Sequence, residues 1–377
     1  MVINRENLLG LTPAELSAYA LAIGEPKYRG GQLSKWIYAK GVTTFAAMTD
    51  LGKVLRNRLE QRAIIQGITL TSHQSSSRDG TTKYLFALAD GLKVESVLIP
   101  PRGLSSAEQA ADEREDGRRT ICVSTQVGCP LDCVFCATGT MGYRRNLTAG
   151  EIVDQLLCVR RSSGQRISNV VFMGMGEPLL NYDSVLAAAE IMMQGVKIVA
   201  RRITISTAGR PDRIRQLADE GRRIKLAVSL HSAVDETRAR LMPISKKFGL
   251  RELHDAVQYY YRKTKQRVTY EVIFFDGVND ATSDVRRLIE FVRQVPAKVN
   301  VIPFHSIGFT APKGFAASLA PSPKVPNIIR ELRAANVTVM MRASSGEDIA
   351  AACGQLATRS ANRVSIGGSP TDREIAA

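Results

Sequence analysis

Nowhere in the 377 residues do apolar positions run on for the roughly 18 that a membrane-spanning helix needs. Nor does Met1 to Gly10 carry an apolar run behind a basic start, so no secretory leader and no membrane partner are expected, and the chain reads as cytoplasmic. Histidine is scarce, at four residues, and Trp36 is the only tryptophan. Acidic residues are in deficit: 36 Asp and Glu face 51 Lys and Arg, a formal charge of +15 that favours a polyanionic partner, nucleic acid first. Basic residues come in pairs such as Arg144 and Arg145, Arg201 and Arg202, and Lys246 and Lys247. Any one pair reads as a solvated face, but their sum draws phosphate. Six cysteines without an export signal argue against a disulfide framework and for metal or redox chemistry.

What is present is the balance of a globular protein, 44% hydrophobic and 23% charged, in a length suited to one sizeable catalytic domain with a smaller one attached. Residues 1–90 read as a helical accessory module ending in a strand pair. Thr12-Pro13-Ala14-Glu15 opens one helix with a capping box, Gly31 to Ala39 forms another, and Asp90-Gly91 turns between β-rich runs at Lys83–Leu88 and Leu92–Ile99. Residues 91–119 add a β entry and a polar insertion. From 120 to 357, short β-branched runs alternate with amphipathic stretches: Ile121–Ser124, Val170–Met173, Ile203–Ser206, Leu226–Leu230, Val268–Phe274, Val299–Pro303 and Val337–Arg342. That alternation predicts βαβ units on a parallel sheet, with chemistry at the strands' C-terminal ends. Residues 358–377 read as a flexible tail.

The sharpest local signal is Cys129-Pro-Leu-Asp-Cys133-Val-Phe-Cys136, placed after the first strand of the α/β region. Three thiolates this close can ligate three irons of a [4Fe-4S] cluster, leaving the fourth iron open to chelate S-adenosylmethionine (SAM). The plainer alternatives are a zinc site, which wants a fourth ligand that no histidine in this loop supplies, and unligated core cysteines. Cys158, at helical spacing among Leu156, Leu157 and Val159, is assigned to the core.

The loop resembles the radical SAM signature, and its surroundings resemble the RlmN/Cfr family of RNA methyltransferases. The likeness covers most of the chain, through Cys122-Val-Ser-Thr-Gln-Val-Gly-Cys129, Met173-Gly-Met-Gly-Glu-Pro-Leu-Leu-Asn181, Ile205-Ser-Thr-Ala-Gly209, Ser229-Leu-His231, Met242-Pro-Ile-Ser-Lys-Lys247, Gly277-Val-Asn-Asp280 and Cys353-Gly-Gln-Leu356. It implies an α/β fold, an incomplete (β/α)6-type barrel with the helical module at its N-terminus. It also implies methylation of adenine C2 in 23S rRNA and in tRNA, with one [4Fe-4S] cluster on Cys129, Cys133 and Cys136, two SAM molecules per turnover and an electron donor such as flavodoxin.

The resemblance further implies SAM contacts at Gly176, Glu177, Ser206, Ser229, Leu230 and His231. His305 stands where the family often has Asn after an aromatic, and is carried over as a cofactor contact. Cys353 is implied as the methyl carrier, Cys122 as the thiol that resolves the RNA adduct through a transient disulfide, and Glu95 as the base that takes the C2 proton. For the serines the alternative is strand-end hydrogen bonding, and for Glu95 an exposed strand position. The N-terminal module, with Lys27, Arg29, Lys35 and Trp36, is expected either to grip RNA phosphates, which helps expose a base, or to serve as packing. The rival functions are C8 methylation of adenine and a non-catalytic iron-sulfur RNA-binding factor.

Overall fold

The computed structural model describes residues 5–101 and 118–358. The expected polar insertion and tail therefore fall largely, at 102–117 and 359–377, outside the described residues.

The N-terminal module is built from β1 (Glu6–Asn7), α1 (Pro13–Ala22), α2 (Tyr28–Ser34), α3 (Lys53–Arg62) and β2 (Ala63–Ile64). The capping box forms as its spacing predicts: Glu15 N–H donates to the Thr12 hydroxyl, and Thr12 N–H to the Glu15 carboxylate. α2 starts ahead of Gly31 and widens into a π-turn over Lys35–Ala39, which turns Trp36, Ile37 and Tyr38 inward together. Trp36 is thus buried and spent on packing, while Lys27, Tyr28 and Lys35 stay on the surface.

A ten-stranded sheet organises the rest, in the edge-to-edge order β3 (Thr69–Ser75), β4 (Thr82–Ala87), β5 (Lys93–Ile99), β6 (Thr120–Cys122), β9 (Asn169–Phe172), β10 (Ile203–Thr207), β11 (Lys225–Ser229), β12 (Val268–Val272), β13 (Ala297–Val301) and β14 (Val339–Met341). From β6 to β14 all pairings are parallel, and β3, β4 and β5 extend the β6 edge antiparallel. Every parallel strand coincides with one of the β-branched runs, because helices cover the sheet and bury most of their side chains; on the edge strand β14, Met340 and Met341 are exposed. A separate hairpin, β7 (Gln126–Gly128) with β8 (Tyr143–Asn146), carries the cysteine loop between its arms. β3 and β14 do not pair with each other, so the barrel stays open. The chain after β14 crosses that opening: Gly346 N–H donates to Asp79 Oδ2 at 2.9 Å, and Lys83 Nζ to Ala350 O at 3.3 Å.

The module docks on α4 (Ala149–Ser163), whose residues Ile152, Val153, Leu156 and Leu157 are buried. Cys158 lies in the same core. Ile68 N–H donates to Asp154 Oδ2 at 2.8 Å and Arg160 Nη2 to Tyr38 O at 2.8 Å. Gly10 and Gly150 meet backbone to backbone, and a Cβ on Gly150 would overlap Leu9 O. Gly150→Ala should therefore destabilise the protein by about 1–3 kcal/mol through overpacking, read as a lowered midpoint in denaturant unfolding; an unchanged midpoint would show that the contact yields freely.

Candidate active site

The cysteine loop is pinned at both ends. Gly128 has φ +74°, and a side chain there would run into Gly142 O, to which Cys129 N–H donates at 3.1 Å. Farther along, Val134 N–H donates to Leu241 O at 3.1 Å and Ala137 N–H to Gly354 O at 2.7 Å. Cys129, Cys133 and Cys136 line one cavity and form no disulfide. Burial pushes the Cys129 thiol up to about 12 and that of Cys133 well above its usual range, with the neighbouring thiols adding to both. Such thiols stay protonated unless a metal takes the protons' place. Among the described residues no three His, Cys, Asp or Glu converge as a single-ion site requires. Three thiols in the wall of one cavity can each hold a different iron of a cluster, whereas a zinc site wants a fourth ligand that no histidine of the loop supplies.

The strand ends complete this cavity, with Gly176, Glu177, Ser206, Ser229 and His231 in its wall. Gly176 has φ +98° and abuts the Gln126 side chain, so the position admits no Cβ. Glu177 accepts from Leu179 N–H at 3.0 Å and Ala208 N–H at 2.8 Å; burial nonetheless raises its carboxyl. Ser206 donates to Glu271 Oε2 at 2.9 Å. Leu230, between Ser229 and His231, is fully buried and is not part of this wall; its N–H donates to Glu271 O at 2.9 Å.

His231 adopts φ +56°, a strained conformation for a branched ring residue. Its Nδ1 accepts from Ile273 N–H at 3.2 Å, so the neutral ring carries its proton on Nε2. Burial, with the charge of Arg238 behind it, pushes its pKa down to about 3. Asn279 holds the strained peptide, donating to His231 O at 2.6 Å and Ile273 O at 2.8 Å. Arg238, on α5 (Asp235–Leu241), is buried and gathers the strand ends: its guanidinium donates to Leu230 O, Ala208 O, Ser229 O and the Ser245 hydroxyl. The Gly277–Asp280 and Met242–Lys247 motifs are thus the fastenings of the strand-end loops.

A second cavity holds Cys122, at the end of β6, and Cys353, on the segment that crosses the barrel opening. Cys136, Met173, Gly174, Cys353 and Gly354 line both cavities, so Cys353 stands in the shared wall. Burial pushes the Cys122 thiol up to about 12, with Cys353 adding to it, and raises Cys353 against the opposing charge of Arg342. His305 lines this second cavity rather than the first, its Nδ1 3.4 Å from Glu347 Oε1. Glu95 shares a strand face with Val97 and Ile99, which line the second cavity, but its carboxylate lies in a neighbouring open cavity with Lys83 and Gln355. There Lys83 Nζ is 3.5 Å away, and Ala357 N–H donates to Oε2 at 3.0 Å. No local pattern marks Arg238, Glu271 or Arg342, each of which reads in isolation as an ordinary exposed charge.

Residues 6–65 match the ribosomal RNA large subunit methyltransferase N-terminal domain, and residues 123–292 the Radical SAM superfamily. A probable dual-specificity RNA methyltransferase RlmN from Flavobacterium johnsoniae is 41% identical over 96% of this chain and 99% of its own length. The dual-specificity RNA methyltransferase RlmN of Geobacter sulfurreducens is 42% identical over 93% of this chain and 91% of its own. The crystal structure of a radical SAM methyltransferase from Sphaerobacter thermophilus superposes with a TM-score of 0.81 at 38% identity, covering 93% of this chain and 99% of that one.

Arg238→Met removes the donors to three strand-end carbonyls, and hydrogen bonds to a charged group are worth about 1.5–3 kcal/mol each. A loss of at least about 3 kcal/mol is expected in denaturant unfolding, and a loss under 1 kcal/mol would mean the loops hold without it. His231, neutral when folded and titrating near 6.5 when unfolded, contributes stability above that pH which is lost as pH falls towards about 3. Unfolding free energy measured from pH 7 to 4 should fall less steeply in His231→Asn than in the parent protein; parallel slopes would rule out a buried neutral ring.

Proposed function

Because the chain belongs to the RlmN family of dual-specificity radical SAM RNA methyltransferases, we propose that it methylates adenine C2 in 23S rRNA and in tRNA, with Cys353 as methyl carrier. The observation that carries this reading is the place of Cys353 in the wall between two cavities, one bounded by the cysteine loop and the other by Cys122. A carrier needs access to a donor on one side and an acceptor on the other, and C2 of adenine, lacking a lone pair, cannot take the methyl by direct displacement.

Cys129, Cys133 and Cys136 would hold the cluster, with Gly176, Glu177, Ser206, Ser229, His231 and the Leu230 backbone around SAM, and His305 reaching it from the Cys122 side. Bound there, the cluster supplies an electron, and two SAM molecules per turnover supply a methyl group and a 5′-deoxyadenosyl radical. Cys353 takes the methyl and later yields one of its hydrogen atoms. The methyl carbon bonds to C2, the unpaired electron of the adduct would return to the cluster, and the C2 proton passes to Glu95, whose carboxylate lies 3.5 Å from Lys83 Nζ. Cys122, losing its thiol proton, then bonds to the Cys353 sulfur as the bond from that sulfur to the carbon breaks; the carbon takes up a proton to complete the methyl group, and the disulfide left behind is reduced by a flavodoxin-like donor. The net charge of +15 and the exposed Lys27 and Lys35 of the module favour a phosphate-rich partner. Among the described residues no helix is long and apolar enough to cross a membrane.

The test is an anaerobic reaction of the reconstituted protein with methyl-labelled SAM and ribosomal RNA or tRNA, followed by nucleoside mass spectrometry. Labelled 2-methyladenosine is expected from the parent protein, none from Cys353→Ala, and a protein-RNA adduct from Cys122→Ala. Labelled 8-methyladenosine would move the chemistry to the other ring carbon, and no labelled base from a cluster-loaded protein would overturn the reading.

A further inference from the structure

The wall of the Cys122 and Cys353 cavity contains a guanidinium, that of Arg342, which the reaction as set out does not use. Its backbone is fixed by a bond from Arg342 N–H to Val301 O at 2.9 Å, just after β14. Its side chain is only 19% exposed. Yet the head group finds little there: Nη1 lies 3.6 Å from Glu271 Oε1, outside hydrogen-bond reach, and donates to Met173 Sδ at 3.3 Å, a weak acceptor. The other oxygen of Glu271 is taken by Ser206. Arg238, the other buried guanidinium of the site, is in contrast saturated with carbonyl oxygens. No Arg342 nitrogen is buried without a partner, whereas Glu271 Oε1 is, so the donors that Arg342 leaves unused open to the cavity, where a ligand can take them.

The position narrows the ligand. Arg342 belongs to the wall of the cavity holding Cys122 and not to that of the cavity around the cysteine loop, so it faces the side where the acceptor base would enter. Glu271 already offsets its charge, which favours a neutral acceptor over a phosphate. Resting on the reading of Cys353 as carrier and C2 as acceptor, we propose that Arg342 binds the substrate adenine, its guanidinium donating to the ring nitrogen beside the carbon that is methylated.

The contact strengthens as the reaction proceeds. When the carbon borne on the Cys353 sulfur adds to C2, one carbon-carbon bond forms, the π bond between C2 and the adjacent nitrogen opens, and the unpaired electron moves onto that nitrogen. No proton is transferred, and a donor already aimed at the nitrogen stabilises the density it gains.

The experiment starts from protein whose Cys353 has been methylated by SAM without RNA, verified by intact mass, and follows a single turnover on RNA carrying adenosine, 1-deazaadenosine or 3-deazaadenosine at the target. Arg342→Met should acquire the Cys353 methyl like the parent protein but transfer it to adenosine RNA about 10- to 100-fold more slowly, the range of one charge-assisted hydrogen bond. Arg342→Lys, which keeps the charge but not the planar fork, should lose less, and it serves if the Met variant does not fold. One deaza analogue should slow the parent protein by a similar factor and slow Arg342→Met no further, the non-additivity expected when both changes remove one contact. Additive losses with both analogues, or failure of the variants to methylate Cys353, would overturn the proposal; the latter would place Arg342 with the carrier thiol. Absence of a methyl on parent Cys353 would instead overturn the carrier reading, and this proposal with it.

Discussion

The hydrogen bond from Ala137 N–H to Gly354 O, at 2.7 Å, ties the two ends of the site together. One partner follows Cys136 in the cysteine loop; the other follows Cys353 on the segment that returns from the last strand. Thr138, whose hydroxyl donates to Leu356 O at 2.7 Å, repeats the tie. Neither residue has chemistry of its own. Other bonds fasten the same segment to the antiparallel strands on its far side, but these two join it to the cysteine loop and so set where Cys353 stands relative to that loop. The open barrel makes this possible, since a closed sheet would leave no gap for a returning segment to bridge.

Around that tie, the strand ends are held by polar groups that are buried but satisfied. Arg238 serves the carbonyls after β10 and β11, and Asn279 the peptides of His231 and Ile273. These bonds hold the strained His231 backbone, and the Ile273 N–H on Nδ1 fixes the ring in one tautomer, so the cavity presents a neutral donor rather than a charge. Buried networks of this kind are valuable only when complete, because each lost partner leaves a desolvated group behind. Their completeness explains why the loops at this face can be irregular without being loose.

Much of this was legible in the residues. The inner parallel strands announce themselves as β-branched runs, because they are largely buried, and the cysteine loop is dense enough to read alone. β3 was not legible: Thr69–Ser75 is polar and almost wholly exposed, an edge strand whose pairing comes from the hairpin beside it and not from its own pattern. α3 was missed for a related reason, since only Leu55 and Leu59 face inward from an otherwise charged helix. The charged residues of the site were hidden more deeply. Arg238 lies in Thr-Arg-Ala-Arg-Leu and Arg342 in Met-Met-Arg-Ala, where nothing local separates a buried cation from a solvated one; only the fold decides which arginine is enclosed. Glu95 shows the reverse, a residue assigned by likeness whose carboxylate the fold engages with Lys83 and the Ala357 amide.

The shared wall has a consequence for timing. On the roles proposed, one sulfur serves two compartments, and it passes from one to the other by turning about its own side-chain bonds while the backbone behind it stays fastened. Such a turn moves a few atoms and no backbone, whereas opening a domain or lid takes microseconds or longer. The hand-over between half-reactions would then need no domain movement, and larger motions would be called on only for the arrival and departure of molecules at the two mouths.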